Sequence, residues 1–104
     1  MDQITDQSQY DEALKSHKSV VIIFTAIWSH VGEITKRNFE KVGAQYPALY
    51  QAWISTDESP ELTEQHGVTA VPTVFGYKGE AEVNKYIGPQ FTEEQVKRFI
   101  EKVL

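Results

Sequence analysis

Apolar and polar positions alternate along this chain in blocks whose period switches between that of a strand and that of a helix. Val20-Val21-Ile22-Ile23-Phe24 is an unbroken, mostly β-branched run, the pattern of a strand covered on both faces. Leu49 to Ser55 contains Leu49, Tyr50, Ala52, Trp53 and Ile54, and predicts a second central strand with Trp53 in the core. Thr73 to Tyr77 and Glu82 to Ile87 bracket Lys78-Gly79-Glu80 and predict an antiparallel hairpin. Ile4 is expected on a short edge strand.

Between the strands the period becomes helical. Asp6 followed by Gln9 has the spacing of a cap with a reciprocating partner, so a helix is predicted from Gln7 to His17 with Tyr10, Ala13 and Leu14 on its apolar face. A second helix is predicted from Val31 to Tyr46 and closed by Pro47. It should turn Ile34, Phe39 and Val42 inward, and Lys36, Arg37 and Lys41 outward. Ser59-Pro60-Glu61 reads as a serine cap with proline at the first helical position, opening a short helix that ends at Gly67. In the last helix Thr92 is the cap and Gln95 completes the box. Phe91 and Val96 form a staple, and Val96, Phe99, Ile100, Val103 and Leu104 share one face. The order β-α-β-α-β-α-β-β-α makes this an α/β chain. With 104 residues and neither linker nor repeat, it forms one domain over 1–104.

Composition narrows the function. Ten basic against fifteen acidic residues give a formal charge of −5, which argues against a nucleic-acid or anionic-membrane surface. The longest apolar run is far too short to span a bilayer, and Met1 to Asp6 is too polar for a signal or transit peptide. A cytoplasmic location is the resulting expectation. There is no cysteine, so no disulfide, thiolate nucleophile, iron–sulfur cluster or zinc–thiolate site is possible. His17, His30 and His66 lack metal-ligand spacing, and neither a metal nor a cofactor is expected. Asp57 and Glu58 read as a solvated loop.

The chemistry-bearing stretch is the strand-to-helix junction Phe24 to Glu33, where unpaired N–H groups and a positive dipole end gather. Ala26-Ile27-Trp28-Ser29-His30-Val31-Gly32 resembles the thioredoxin stretch Ala-x-Trp-Cys-Gly-Pro-Cys, with every residue after the tryptophan replaced. Gly67-Val68-Thr69-Ala70-Val71-Pro72-Thr73 resembles the family's second signature, and Tyr77-Lys78-Gly79-Glu80 and Ile87-Gly88 match its hairpin and the glycine that follows. The resemblance covers nearly the whole chain. It implies a thioredoxin fold, a central mixed β-sheet flanked by helices, with Pro72 as a cis-proline facing the site.

It also places the attacking cysteine at Ser29 and the resolving cysteine at Gly32. The family's buried, proton-moving aspartate falls at Ile23, the neighbouring-strand lysine at Trp53, and a helix proline at Arg37. Thiol–disulfide exchange needs two thiols, and a serine hydroxyl without a dedicated base does not replace one. The degenerate positions Ser29, His30, Val31 and Gly32 therefore imply a redox-inactive member, in which Ser29 caps the helix. What survives is an apolar groove formed by Trp28, the Ser29–Val31 segment, Ala70, Val71, Pro72, Ile87, Gly88 and Pro89. The family holds protein substrates there, with the Val71 backbone free to pair with an extended peptide. The first reading is a binding module for a protein or peptide segment. The alternatives are a structural or dimeric component acting through other surfaces, and a non-redox enzyme (glutathione-dependent or hydrolytic) built on Ser29 and His30. The oligomeric state stays open.

Overall fold

The Val20–Phe24 run lies in the middle of a five-stranded sheet in the computed structural model, which describes residues 1–104. The elements are β1 (Asp2–Gln3), α1 (Gln7–Ser16), β2 (Ser19–Thr25), α2 (His30–Gly43), β3 (Leu49–Ser55), α3 (Pro60–Gln65), β4 (Thr73–Lys78), β5 (Ala81–Ile87) and α4 (Glu93–Glu101). Strand order is β1-β3-β2-β4-β5. The β1–β3 and β3–β2 pairs are parallel, and the β2–β4 and β4–β5 pairs antiparallel. Every residue of β2 is buried, as a strand paired on both edges and covered on both faces requires. Alternation along the strands then builds two cores. One holds Tyr10, Ile22, Phe24, Ile54, Leu62 and Phe75; the other holds Val21, Ile23, Phe39, Val74, Val96 and Phe99.

Short-range hydrogen bonds set the helix starts as the spacing predicts. The Gln9 N–H donates to Asp6 Oδ1 at 2.8 Å. Thr92 and Gln95 form the reciprocal box, at 3.1 Å in each direction. At Gly79 and Glu80, φ is +57° and +71°, the left-handed pair that a two-residue hairpin loop needs. No helix is long and apolar enough to cross a membrane.

Several expectations are corrected by tertiary contacts. Ser59 makes no side-chain cap; its hydroxyl donates to the Thr5 carbonyl at 3.3 Å, tying α3 back to the β1–α1 turn. Phe91 is exposed and does not staple to Val96; its N–H donates to Gln95 Oε1. Thr35, Phe39 and Val42 form the buried stripe of α2, which leaves Ile34 half-buried at the rim. That helix ends at Gly43, beyond which the Gln45 and Tyr46 N–H groups reach the carbonyls three residues back, a tightened last turn. Trp53 is half-buried, with Lys36 Nζ 4.2 Å from its ring centroid. Val103 rather than the exposed Leu104 completes the α4 core face. α1 stops one residue early because His17 leaves the helical conformation and stacks on Tyr50 at 4.0 Å.

Candidate functional site

Register alone assembles one end of the sheet. Phe24 on β2 pairs with Thr73 on β4, and Thr73 pairs with Ile87 on β5. The residues just beyond, Ala26 to Ser29, Ala70 to Pro72 and Gly88, therefore converge there. All the residues that sequence comparison singles out for binding come to this end.

The β2–α2 junction is turned inward. Ser29 is 5% exposed, and its Oγ accepts the Gly32 N–H at 3.1 Å. Its own N–H donates to the Ala26 carbonyl, and its carbonyl accepts the Glu33 N–H, both at 3.0 Å. Ser29 is thus a fully engaged helix cap. His30 is exposed and makes no hydrogen bond to it, so the two do not form a nucleophile and base. At Gly32 an added Cβ would lie 1.9 Å from Thr25 Oγ1 and 3.0 Å from Ser29 Oγ. The volume that a side chain at position 32 would need is filled by the Thr25 hydroxyl. Thr25 is 2% exposed, and its Oγ1 has no hydrogen-bond partner. Sequence reasoning passed over Thr25, since only the return of α2 over the end of β2 brings positions 25 and 32 together. The proton-relay position Ile23 is fully buried among Val21, Phe39 and Val74, with no ionisable neighbour in that cluster.

The turn before β4 is open. The Val71–Pro72 bond is cis. Thr73 Oγ1 donates to the Ala70 carbonyl at 2.7 Å, and the Gly88 N–H to the Pro72 carbonyl at 2.8 Å, which fixes both flanks of Val71. Val71 itself is half-buried, and neither its N–H nor its C=O has a partner. A free donor and acceptor on a held segment is a template for one more extended strand. Beside it stand Trp28 at 72% exposure, Ile27 at 74% and Ile87 at 59%, with Ala70 exposed and Gly88, Val31 and Pro89 half-buried. Gly88 has φ +113°, a conformation that suits glycine alone. Ile27, equally bare, is the member of this patch that sequence reasoning did not place. The largest surface hollow, about 630 Å³, lies elsewhere, between β1, α1 and Tyr50. The convergent end is a contact patch rather than an enclosing pocket.

Comparison with known proteins agrees with this architecture. The family model described as Thioredoxin matches residues 2–102. Thioredoxin H5 of Oryza sativa subsp. japonica is 32% identical over 98 residues, covering 90% of this chain and 73% of the rice protein. Thioredoxin-1 of Saccharomyces cerevisiae is 30% identical over 86 residues, covering 83% and 84%. Among solved structures, Fasciola hepatica thioredoxin superposes with a TM-score of 0.89 at 20% identity, over 100% of both chains. Plasmodium falciparum thioredoxin gives 0.88 at 24%, also over 100% of both. At that identity the structures speak for the fold alone.

Proposed function

This chain belongs to the thioredoxin family, and we propose that it acts there as a protein-binding module without redox chemistry, holding an extended peptide segment on the former substrate face. The observation that carries this reading is the unpartnered N–H and C=O of Val71 beside exposed Trp28, Ile27 and Ile87. The main-chain groups would supply a strand-like pairing, and the apolar side chains would supply area to be buried. Trp is the residue most enriched at energetic centres of interfaces, which makes Trp28 the expected anchor.

The same geometry disfavours an enzyme built on Ser29 and His30. The serine is a buried acceptor in a cap, and the histidine points elsewhere in the hydrogen-bond network. No cysteine is present to attack or resolve a disulfide.

The test is selection of peptides on the folded protein from a displayed library of random extended segments, with no redox cofactor added. Peptides retained by the wild type should be lost with Trp28→Ala/Val71→Asp, while circular dichroism shows that variant folded. Equal retention by both proteins would remove this face from the account.

A further inference from the structure

We infer that a cavity of about 200 Å³ between β5 and α4, on the sheet face opposite α1, binds a small organic anion: a carboxylate carried on a planar apolar body. This site is separate from the contact patch and does not depend on its use.

Its placement follows from register. Asn84 pairs with Gly76 and Tyr86 with Val74, so both side chains lie on the face that α4 covers. Gly76 lets α4 come close, since a Cβ there would meet Val103 Cγ2 at 2.6 Å and Phe99 Cε1 at 3.0 Å. Phe99 and Tyr86 are the apolar wall of the cavity, and Arg98 and Lys102, on the same helical stripe, are its cations.

The polar lining is one-sided. Asn84 Oδ1 accepts the Lys85 N–H at 3.0 Å, and Gln95 Oε1 accepts the Phe91 and Thr92 N–H groups at 3.0 and 3.1 Å. The chain itself therefore occupies the acceptor ends of these amides and leaves their NH₂ groups as donors. No carboxylate lines the cavity in a protein whose net charge is −5. Glu94 stands outside it and accepts from Arg98 Nε at 3.3 Å, and Lys102 has no ion pair.

Gln90 gives the independent sign of a missing partner. It is 3% exposed, its N–H donates to Thr35 Oγ1 at 2.9 Å, and its carbonyl accepts from Asn38 Nδ2 at 2.8 Å. Its side-chain amide makes no hydrogen bond in the protein, and its Oε1 is buried without a partner. A buried amide left idle at both ends is uncommon in a native fold, and here it stands at the wall of a donor-rich cavity. An oxyanion between Arg98, Lys102 and these amides would meet only donors, while a flat apolar body lies against Phe99 and Tyr86.

The test is an ¹⁵N-resolved NMR titration of the whole chain with benzoate at fixed ionic strength, with benzamide and acetate as comparators. Benzoate should shift the Asn84, Tyr86, Arg98 and Lys102 amides saturably. Both comparators, and benzoate on Arg98→Gln/Lys102→Gln, should bind about tenfold more weakly, as loss of charge-assisted contacts or of the ring requires. Gln90→Met, which removes the idle amide at nearly constant volume, should weaken benzoate without lowering the Tm. A purely structural glutamine would instead lower the Tm and leave binding alone. Unsaturable shifts, benzamide or acetate equal to benzoate, or benzoate binding unchanged in either variant would overturn the assignment.

Discussion

The β2–α2 junction and the turn before β4 face each other across one end of the sheet, and they have opposite characters. At the junction every group is turned inward: Ser29 is buried in its own cap, and Gly32 has no room for a side chain beside Thr25. At the turn the backbone on both sides of Val71 is held while Val71 itself is left unpaired. In the thioredoxin family these two segments make up one site. Here the reactive half is closed and the contact half stays open. The lesson is that losing thiols is more than a change of two letters, because Thr25 now occupies the space that one of them would need.

The largest expected effect comes from forcing the closed half open. Gly32→Cys drives a Cβ into Thr25 Oγ1 and should lower stability by about 1–3 kcal/mol, the usual range for overpacking. Thr25→Ala should recover much of that loss, with a coupling of about 1 kcal/mol in a double-mutant cycle measured by urea unfolding. Additive losses would show that Thr25 does not set the space at position 32. Next in size is Ser29→Ala, which removes the cap and should lower stability by about 1 kcal/mol. A null result in the same unfolding assay would mean that Ser29 is free for another role.

The pH dependence should arise away from both halves. Burial among Tyr10, Phe24 and Phe75 pushes the His66 pKa down, against the weaker pull of Asp11 and Glu82. The unfolded histidine titrates at about 6.5 and so binds more protons just below that pH; stability should fall as pH drops from there. Burial raises the Tyr10 and Tyr77 hydroxyls, which hydrogen-bond each other, and pushes Tyr50 up to about 12. Above about pH 10 the unfolded tyrosines ionise first, so stability should also fall on the alkaline side. Urea midpoints across pH, with His66→Gln flattening the acid limb, check both signs. The smallest effect on stability belongs to the open half. Trp28→Ala should change it by no more than about 0.5 kcal/mol, because the ring is already in solvent, while abolishing peptide retention.

What was legible in the sequence was local. The β2 run, the Asp6 and Thr92 caps and the Gly79–Glu80 hairpin each rest on contacts within a few residues, and each is found where spacing predicts it. Ser29 as a cap is of the same kind. Ser59 and Phe91 show the limit: both have the right local pattern, but Ser59 donates to a residue 54 positions away and Phe91 turns outward. The Thr25–Gly32 conflict, the bareness of Ile27 and the free backbone of Val71 depend on how segments meet in three dimensions. The resemblance to thioredoxins pointed to Val71, but nothing in composition or period did. The donor-rich cavity depends on register too, since the irregular pairing between Gly76 and Tyr77 helps set which β5 side chains face α4.

The most direct test of the central claim is the Val71 amide itself, observed by NMR as a peptide selected on the wild-type protein is added. The account predicts that the Val71 N–H shifts and becomes protected from solvent exchange, with the Trp28 indole shifting in parallel and the Ser29 and Gly32 amides little changed. Tight peptide binding with the Val71 amide unshifted and still exchanging freely would contradict it.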